Sequence, residues 1–224
     1  MSRSNVSGRG VYVPLPSAPR AFMSALARTP LGSVAGNARL TAATGLLLLV
    51  LLFVEGLTLP VMHRLFVVHT FVGWLLLPPI FLKLAGTGYR FVQYYTGQPE
   101  YRAAGPPQIL LRLDAPFLIA ATVGLFGSGI VLLAAGPGEG IWHRLHIVFF
   151  LFWFGVMTVH VLGHLFRALT LSWEDLASRG RGDRTGGMAG LLGRQSLVAL
   201  TLLAGVLIAV ATLPLNHSWV AVLS

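Results

Sequence analysis

Charged residues drop out of the chain over five long stretches, Leu40–Val54, Leu65–Leu82, Ala115–Gly138, Leu145–Phe166 and Gln195–Ser224. Each is close to or above the ~20 residues a helix needs to cross a hydrocarbon core. The pattern predicts an all-α integral membrane protein with five transmembrane helices. Between the runs lie Gly- and Pro-punctuated segments. Residues 1–38, rich in Ser, Pro, Gly and Arg, read as a mobile cytoplasmic tail rather than a cleaved signal peptide. Residues 39–172 hold four spans, expected to form a four-helix bundle. Residues 173–194 read as a flexible cytoplasmic linker, and 195–224 as the fifth span. The stretch Gly86–Arg112, with G-T-G, G-Q-P and G-P-P and several tyrosines, suits an interfacial loop.

Composition agrees with a membrane location. The chain is 55 % hydrophobic and only 10 % charged. Sixteen basic residues against seven acidic give a net charge of +9, which by itself resembles a nucleic-acid binder. The placement of the basic residues removes that reading. Fourteen (Arg3, Arg9, Arg20, Arg28 and Arg39; Lys83, Arg90, Arg102 and Arg112; Arg167, Arg179, Arg181, Arg184 and Arg194) fall on one side of the expected spans. Only Arg64 and Arg144 fall on the other. Positive residues are retained in the cytoplasm, so the amino terminus is expected inside and the carboxyl terminus outside, in the plasma membrane. Lipid, with some attraction for anionic headgroups, accounts for the basic excess, and no nucleic-acid partner is expected.

The chain has no cysteine, which excludes disulfides, thiolate zinc sites, iron–sulfur clusters and covalently attached haem. Any metal must rest on histidine or oxygen. Six of the seven histidines belong to the second and fourth spans or their mouths: His63, His69, His143, His146, His160 and His164. Ionisable groups at membrane depth are costly and tend to face a bundle interior or a cofactor. On the fourth span His146 and His160 are fourteen residues apart, about 21 Å of rise with only ~40° of net rotation. His164 returns almost to the phase of His146, so the three form one stripe.

On the second span His63 and His69 cannot face one partner, and His63 belongs to the helix mouth. A short match, H-R-L-F from His63 and H-R-L-H from His143, suggests a duplicated helical hairpin. It would set the second and fourth spans parallel and facing. His69 and His146 could then oppose one another as the axial pair of a b-type haem, against interhelical hydrogen bonding or a proton relay as rival uses. Aromatic neighbours of both, and Gly73, Gly124, Gly127, Gly129 and Gly155, suit a flat macrocycle as well as ordinary packing.

The inner end of the stripe stays open. A second haem there could use His160 or His164, but two residues on one face of one helix cannot clasp one iron. Lys83, fourteen residues after His69, is the counterpart on the second span. A quinone pocket or proton relay is the competing use. Pro78-Pro79 is expected to kink the second span, and Glu55 is the single acid inside the first.

With these residues in place, the chain resembles the prokaryotic membrane cytochromes b that serve as electron-transfer subunits, such as the gamma subunits of formate dehydrogenases and the cytochrome b subunits of hydrogenases. The overlap is W-H-R-L-H-I-V-F-F-L-F-W-F-G-V-M-T-V-H-V-L-G-H, Trp142 to His164, together with H-T-F-V-G-W from His69. It covers roughly residues 40–170. The tract G-T-G-Y-R-F-V-Q-Y-Y-T-G also looks like small actinobacterial membrane proteins grouped with cytochrome b or ferric-reductase-like domains. The resemblance implies that His69 and His146 ligate an outer haem b, that His160 belongs to an inner one, and that an extracytoplasmic molybdopterin oxidoreductase is the partner. The family commonly supplies a histidine from the first helix, and Ala38–Leu59 has none.

Three functions follow as expectations. The first is a membrane b-type cytochrome exchanging electrons between an extracytoplasmic partner and the quinone pool or another acceptor, more an electron-transfer subunit than an independent enzyme. The second is a membrane enzyme with a non-haem metal held by His63, His69, His143 and His146. The third is a haem-free structural anchor.

Overall fold

The structure is a computed structural model, described here for residues 18–27, 29–106, 109–138, 140–177 and 187–223. Residues 1–17 and 28 of the expected tail and residues 178–186 of the expected linker lie outside the described residues, as does Glu139.

Apolar runs without strand-like alternation close their backbone hydrogen bonds within each segment, as lipid demands. The described residues accordingly contain helices and no strand. In order these are α1 (Ala18–Ala27), α2 (Val34–Thr58), α3 (Met62–Tyr95), α4 (Pro99–Ala103), α5 (Ile109–Ala135), α6 (Gly140–Ala177), α7 (Gly187–Thr212) and α8 (His217–Leu223). Four helical stretches are long and apolar enough to cross a membrane: Val34–Tyr95, Ile109–Ala135, Gly140–Glu174 and Gly190–Leu223. The chain is thus a multi-pass membrane protein. The first stretch, 62 residues long, is interrupted by a 3-10 turn at Leu59–Val61 carrying Pro60, and α2 packs back against α3.

Several helices outrun their uncharged cores. The tail expected as mobile contains α1, and α2 starts at Val34, where the Ser33 hydroxyl accepts from the Gly36 N–H. The expected loop Gly86–Arg112 is helical up to Tyr95, across α4 and again from Ile109. Polar residues past the lipid boundary keep helical hydrogen bonds at little cost, so a hydropathy scan ends the element too early. Pro78 and Pro79 lie within α3, whose non-helical backbone is at Leu65 (φ −109°, ψ 18°).

Packing proceeds by neighbours. α5 packs on α6, α6 on α2, α2 on α3 and α3 on α7. Small residues permit the closest approaches. A Cβ on Gly205 would lie 2.7 Å from the carbonyl oxygen of Leu75, which brings α7 onto the backbone of α3. Asn37 Nδ2 donates to the Gly86 carbonyl at 3.0 Å between α2 and α3. The C-terminal α8 packs on α3, with Trp219 stacked on Phe66 at 5.3 Å, and just before α8 Asn216 Oδ1 accepts from Thr70 Oγ1 at 2.8 Å.

The exterior is apolar and much of the interior polar. Phe166 is 82 % exposed and Leu162 70 %, which suits contact with acyl chains. Thr44, Thr58, Ser128 and Asp114 are buried instead.

Candidate functional site

Within each hairpin, the second helix carries a histidine whose ring is fixed by the first. His69 on α3 places Nδ1 2.9 Å from Thr58 Oγ1 and 3.0 Å from Glu55 Oε1, both on α2. The Thr58 hydroxyl already donates to the Glu55 carbonyl at 2.6 Å. Its oxygen is left to accept, and the proton sits on Nδ1 of His69. On the other hairpin, His146 Nδ1 lies 3.1 Å from the Leu125 carbonyl and 3.2 Å from Ser128 Oγ, both on α5. A carbonyl only accepts, so this imidazole too is the Nδ1–H tautomer.

Both rings therefore keep an Nε2 lone pair that bonds to no described residue. A hydrogen-bonded Nδ1 with a free Nε2 is the arrangement that orients metal-ligating imidazoles. His69 and His146 also stand within electrostatic range of each other, although α3 and α6 are not among the closely packed helix pairs. The Gly129 backbone supports one ring closely, for a Cβ there would lie 3.0 Å from His146 Cε1. Neutral imidazole nitrogens are the donor type that tetrapyrrole iron accepts.

A second level lies fourteen residues, just under four helical turns, further along. His160 Nδ1 pairs with Asp114 Oδ2 at 3.0 Å, and the Asp114 side chain is only 6 % exposed. The His164 ring lies beside that of His160, centroids 4.7 Å apart and planes tilted by 52°. Lys83 Nζ donates to the Thr41 carbonyl at 2.6 Å and lies within electrostatic range of both histidines. Lys83, His160 and His164 border an apolar cavity of about 140 Å³ between α2, α3, α5 and α6, open along one side. Trp153 and Thr122, joined by a 3.0 Å hydrogen bond from the indole N–H, close it toward the first level.

His63 and His143 are exposed at the helix mouths. Among the described residues no group of three or more His, Asp or Glu side chains is placed to hold a bare metal ion, so nothing in the geometry favours the four-histidine metal site. His217 opens α8. Asp114, Thr58 and Ser128 have no prominence in the sequence. Asp114 lies one residue outside an uncharged run, and the hydroxyls are ordinary membrane-helix residues until a histidine is found opposite them.

Comparison of the chain with families of known proteins, with curated proteins and with solved structures finds no match.

Proposed function

We propose that this chain is a five-span integral membrane cytochrome b of the plasma membrane, with its amino terminus in the cytoplasm and its carboxyl terminus outside. It exchanges electrons between an extracytoplasmic redox partner and the quinone pool or another acceptor. The turn at Leu59–Val61, with α2 packed back on α3, supports reading the first 62-residue stretch as two spans. The fourteen-to-two partition of basic residues supports the orientation.

The observation that carries the reading is the pair of imidazoles fixed as Nδ1–H tautomers on different hairpins, each with a free Nε2. His69 and His146 would be the axial ligands. Bound haem supplies a one-electron change of iron valence. The protein's residues hold the rings: Thr58 and Glu55 anchor His69, while Leu125 and Ser128 anchor His146. The apolar helices around them keep water out, which sets the local dielectric.

The test is a dithionite-reduced minus oxidised spectrum of the purified protein with a pyridine haemochrome assay. His69→Ala and His146→Ala should each abolish the haem signal. Full signal in either variant, or a colourless wild type, overturns the proposal.

A further inference from the structure

We infer that Arg90 and Arg167 clamp the phosphate of an anionic phospholipid at the end of the bundle where α3 gives way to α4. The two residues continue the register of the levels already described. His69 and His146, Lys83 and His160, and Arg90 and Arg167 are each 77 residues apart. Each arginine also follows its second-level residue by seven positions, which is about 10 Å of rise with almost no change of phase. The arginines therefore extend the stripes of α3 and α6 that carry Lys83 and His160. The depth suits a headgroup. His63, at the opposite mouth of α3, lies 27 residues before Arg90, about 40 Å of helix, which is the thickness of a bilayer with its headgroups.

The charges converge and are not neutralised from within. Arg90 and Arg167 stand within electrostatic range of each other and of His164, and among the described residues neither forms an ion pair. Because α3 and α6 are not closely packed, a group can enter between them. Arg90 Nη2 donates to the Gly105 carbonyl at 3.2 Å, which fixes the guanidinium with most of its five N–H groups unspent. Two guanidiniums supply paired donors to the two unesterified oxygens of a phosphodiester. Beside each stands an exposed phenylalanine, Phe91 and Phe166, which gives acyl chains an apolar surface next to the cation. A soluble anion would gain nothing from those rings. A choline headgroup would bring an ammonium up to two like charges, so the clamp selects a lipid whose headgroup charge is the phosphate alone.

The site is separate from the proposed haem, and its test does not depend on haem. Phosphatidylglycerol, phosphatidylcholine and inorganic phosphate are the probes, titrated into the detergent-purified full chain and counted by native mass spectrometry. Wild type should hold one phosphatidylglycerol per chain about tenfold or more tightly than phosphatidylcholine, the preference expected when two arginines favour the anionic headgroup. Millimolar inorganic phosphate should not displace it. Arg90→Gln/Arg167→Gln should lower phosphatidylglycerol to the level of phosphatidylcholine and leave phosphatidylcholine unchanged. Arg64→Gln/Arg144→Gln, with the same loss of charge at the opposite helix mouths, should bind phosphatidylglycerol like wild type.

Equal binding of the two lipids by wild type would overturn the inference, with no variant required. Displacement by inorganic phosphate would overturn it in favour of a soluble anion. Undiminished phosphatidylglycerol on a monodisperse Arg90→Gln/Arg167→Gln, or an equal loss in Arg64→Gln/Arg144→Gln, would reduce the clamp to general surface charge. Two haems per chain with one lost in Arg90→Gln/Arg167→Gln would assign the arginines to haem propionates instead. Loss of the cytochrome reading alone would appear as a colourless protein that still selects phosphatidylglycerol.

Discussion

Asp114 Oδ2 lies 3.0 Å from Nδ1 of His160, and this contact repeats, one level along, the contact between Ser128 and His146. Ser128 is fourteen residues after Asp114, and His146 fourteen before His160. The other hairpin keeps the same register: Glu55 meets His69 and Thr41 meets Lys83, again fourteen residues apart on each helix. Two antiparallel hairpins thus present a functional side chain on the second helix, at two depths, each anchored by the first. The chemistry differs only at the second level, where one hairpin offers an ammonium and the other an imidazole.

The Asp114–His160 pair should hold the ring in one tautomer. A carboxylate only accepts and so keeps the proton on Nδ1, whereas an amide both donates and accepts. Asp114→Asn is therefore expected to give a mixture of His160 tautomers, with haem content unchanged. The ring nitrogen chemical shifts of histidine-labelled protein check it, and an unchanged single tautomer counts against the assigned role of Asp114.

Gly129 should be essential to the first level for a steric reason. A Cβ there would sit 3.0 Å from Cε1 and 3.2 Å from Nδ1 of His146, tight enough to turn the ring off the Leu125 carbonyl. Gly129→Val should lose most of the haem absorbance. Gly127→Ala, whose Cβ meets nothing within 4 Å, should keep it. Spectra normalised to protein content compare the pair.

Much of this frame is legible in the sequence and some of it is not. The apolar runs mark the membrane helices because lipid leaves the backbone no other way to satisfy its hydrogen bonds. The fourteen-residue intervals mark the two depths because helical rise and phase are fixed. Hairpin register is set by packing and turn length, which hydropathy does not encode. The H-R-L match pairs His146 with Phe66, whereas the anchoring pattern pairs His146 with His69. Asp114 escapes for the related reason that its meaning depends on a residue 46 positions away. The helix extensions past Leu82 and Phe166 escape because polar helix in water carries no hydropathy signal.

The contact between α7 and α3 should depend on Gly205. Its absent Cβ would press on the Leu75 carbonyl oxygen at 2.7 Å and Cα at 3.1 Å, and neighbouring backbone yields poorly. Gly205→Leu should cost about 1–3 kcal/mol, the range for overpacking a close contact, and lower the thermal midpoint. Gly155→Ala, with open space around its Cβ, should not. Because His69 and His146 are anchored from α2 and α5, haem absorbance below the transition should survive in both.

The far end of the bundle should weaken at alkaline pH through Tyr101. This side chain is only 1 % exposed, and its hydroxyl donates to the Gly32 carbonyl at 2.7 Å. Tyr89 stands edge-on at 6.0 Å and donates to the same carbonyl at 3.2 Å. Burial above all, with Tyr89 adding to it, pushes the phenol of Tyr101 above its ordinary value. A group whose folded value is raised contributes stability that is fully present below the unfolded value, near pH 10, and disappears as pH climbs toward the folded one. A phenolate facing a carbonyl has also lost its donor. Thermal midpoints should hold up to about pH 9 and fall above about pH 10. Tyr101→Phe should lower the midpoint at neutral pH, consistent with one buried hydrogen bond of about 1 kcal/mol, and flatten the alkaline decline. A decline equally steep in Tyr101→Phe would assign the alkaline loss to another group.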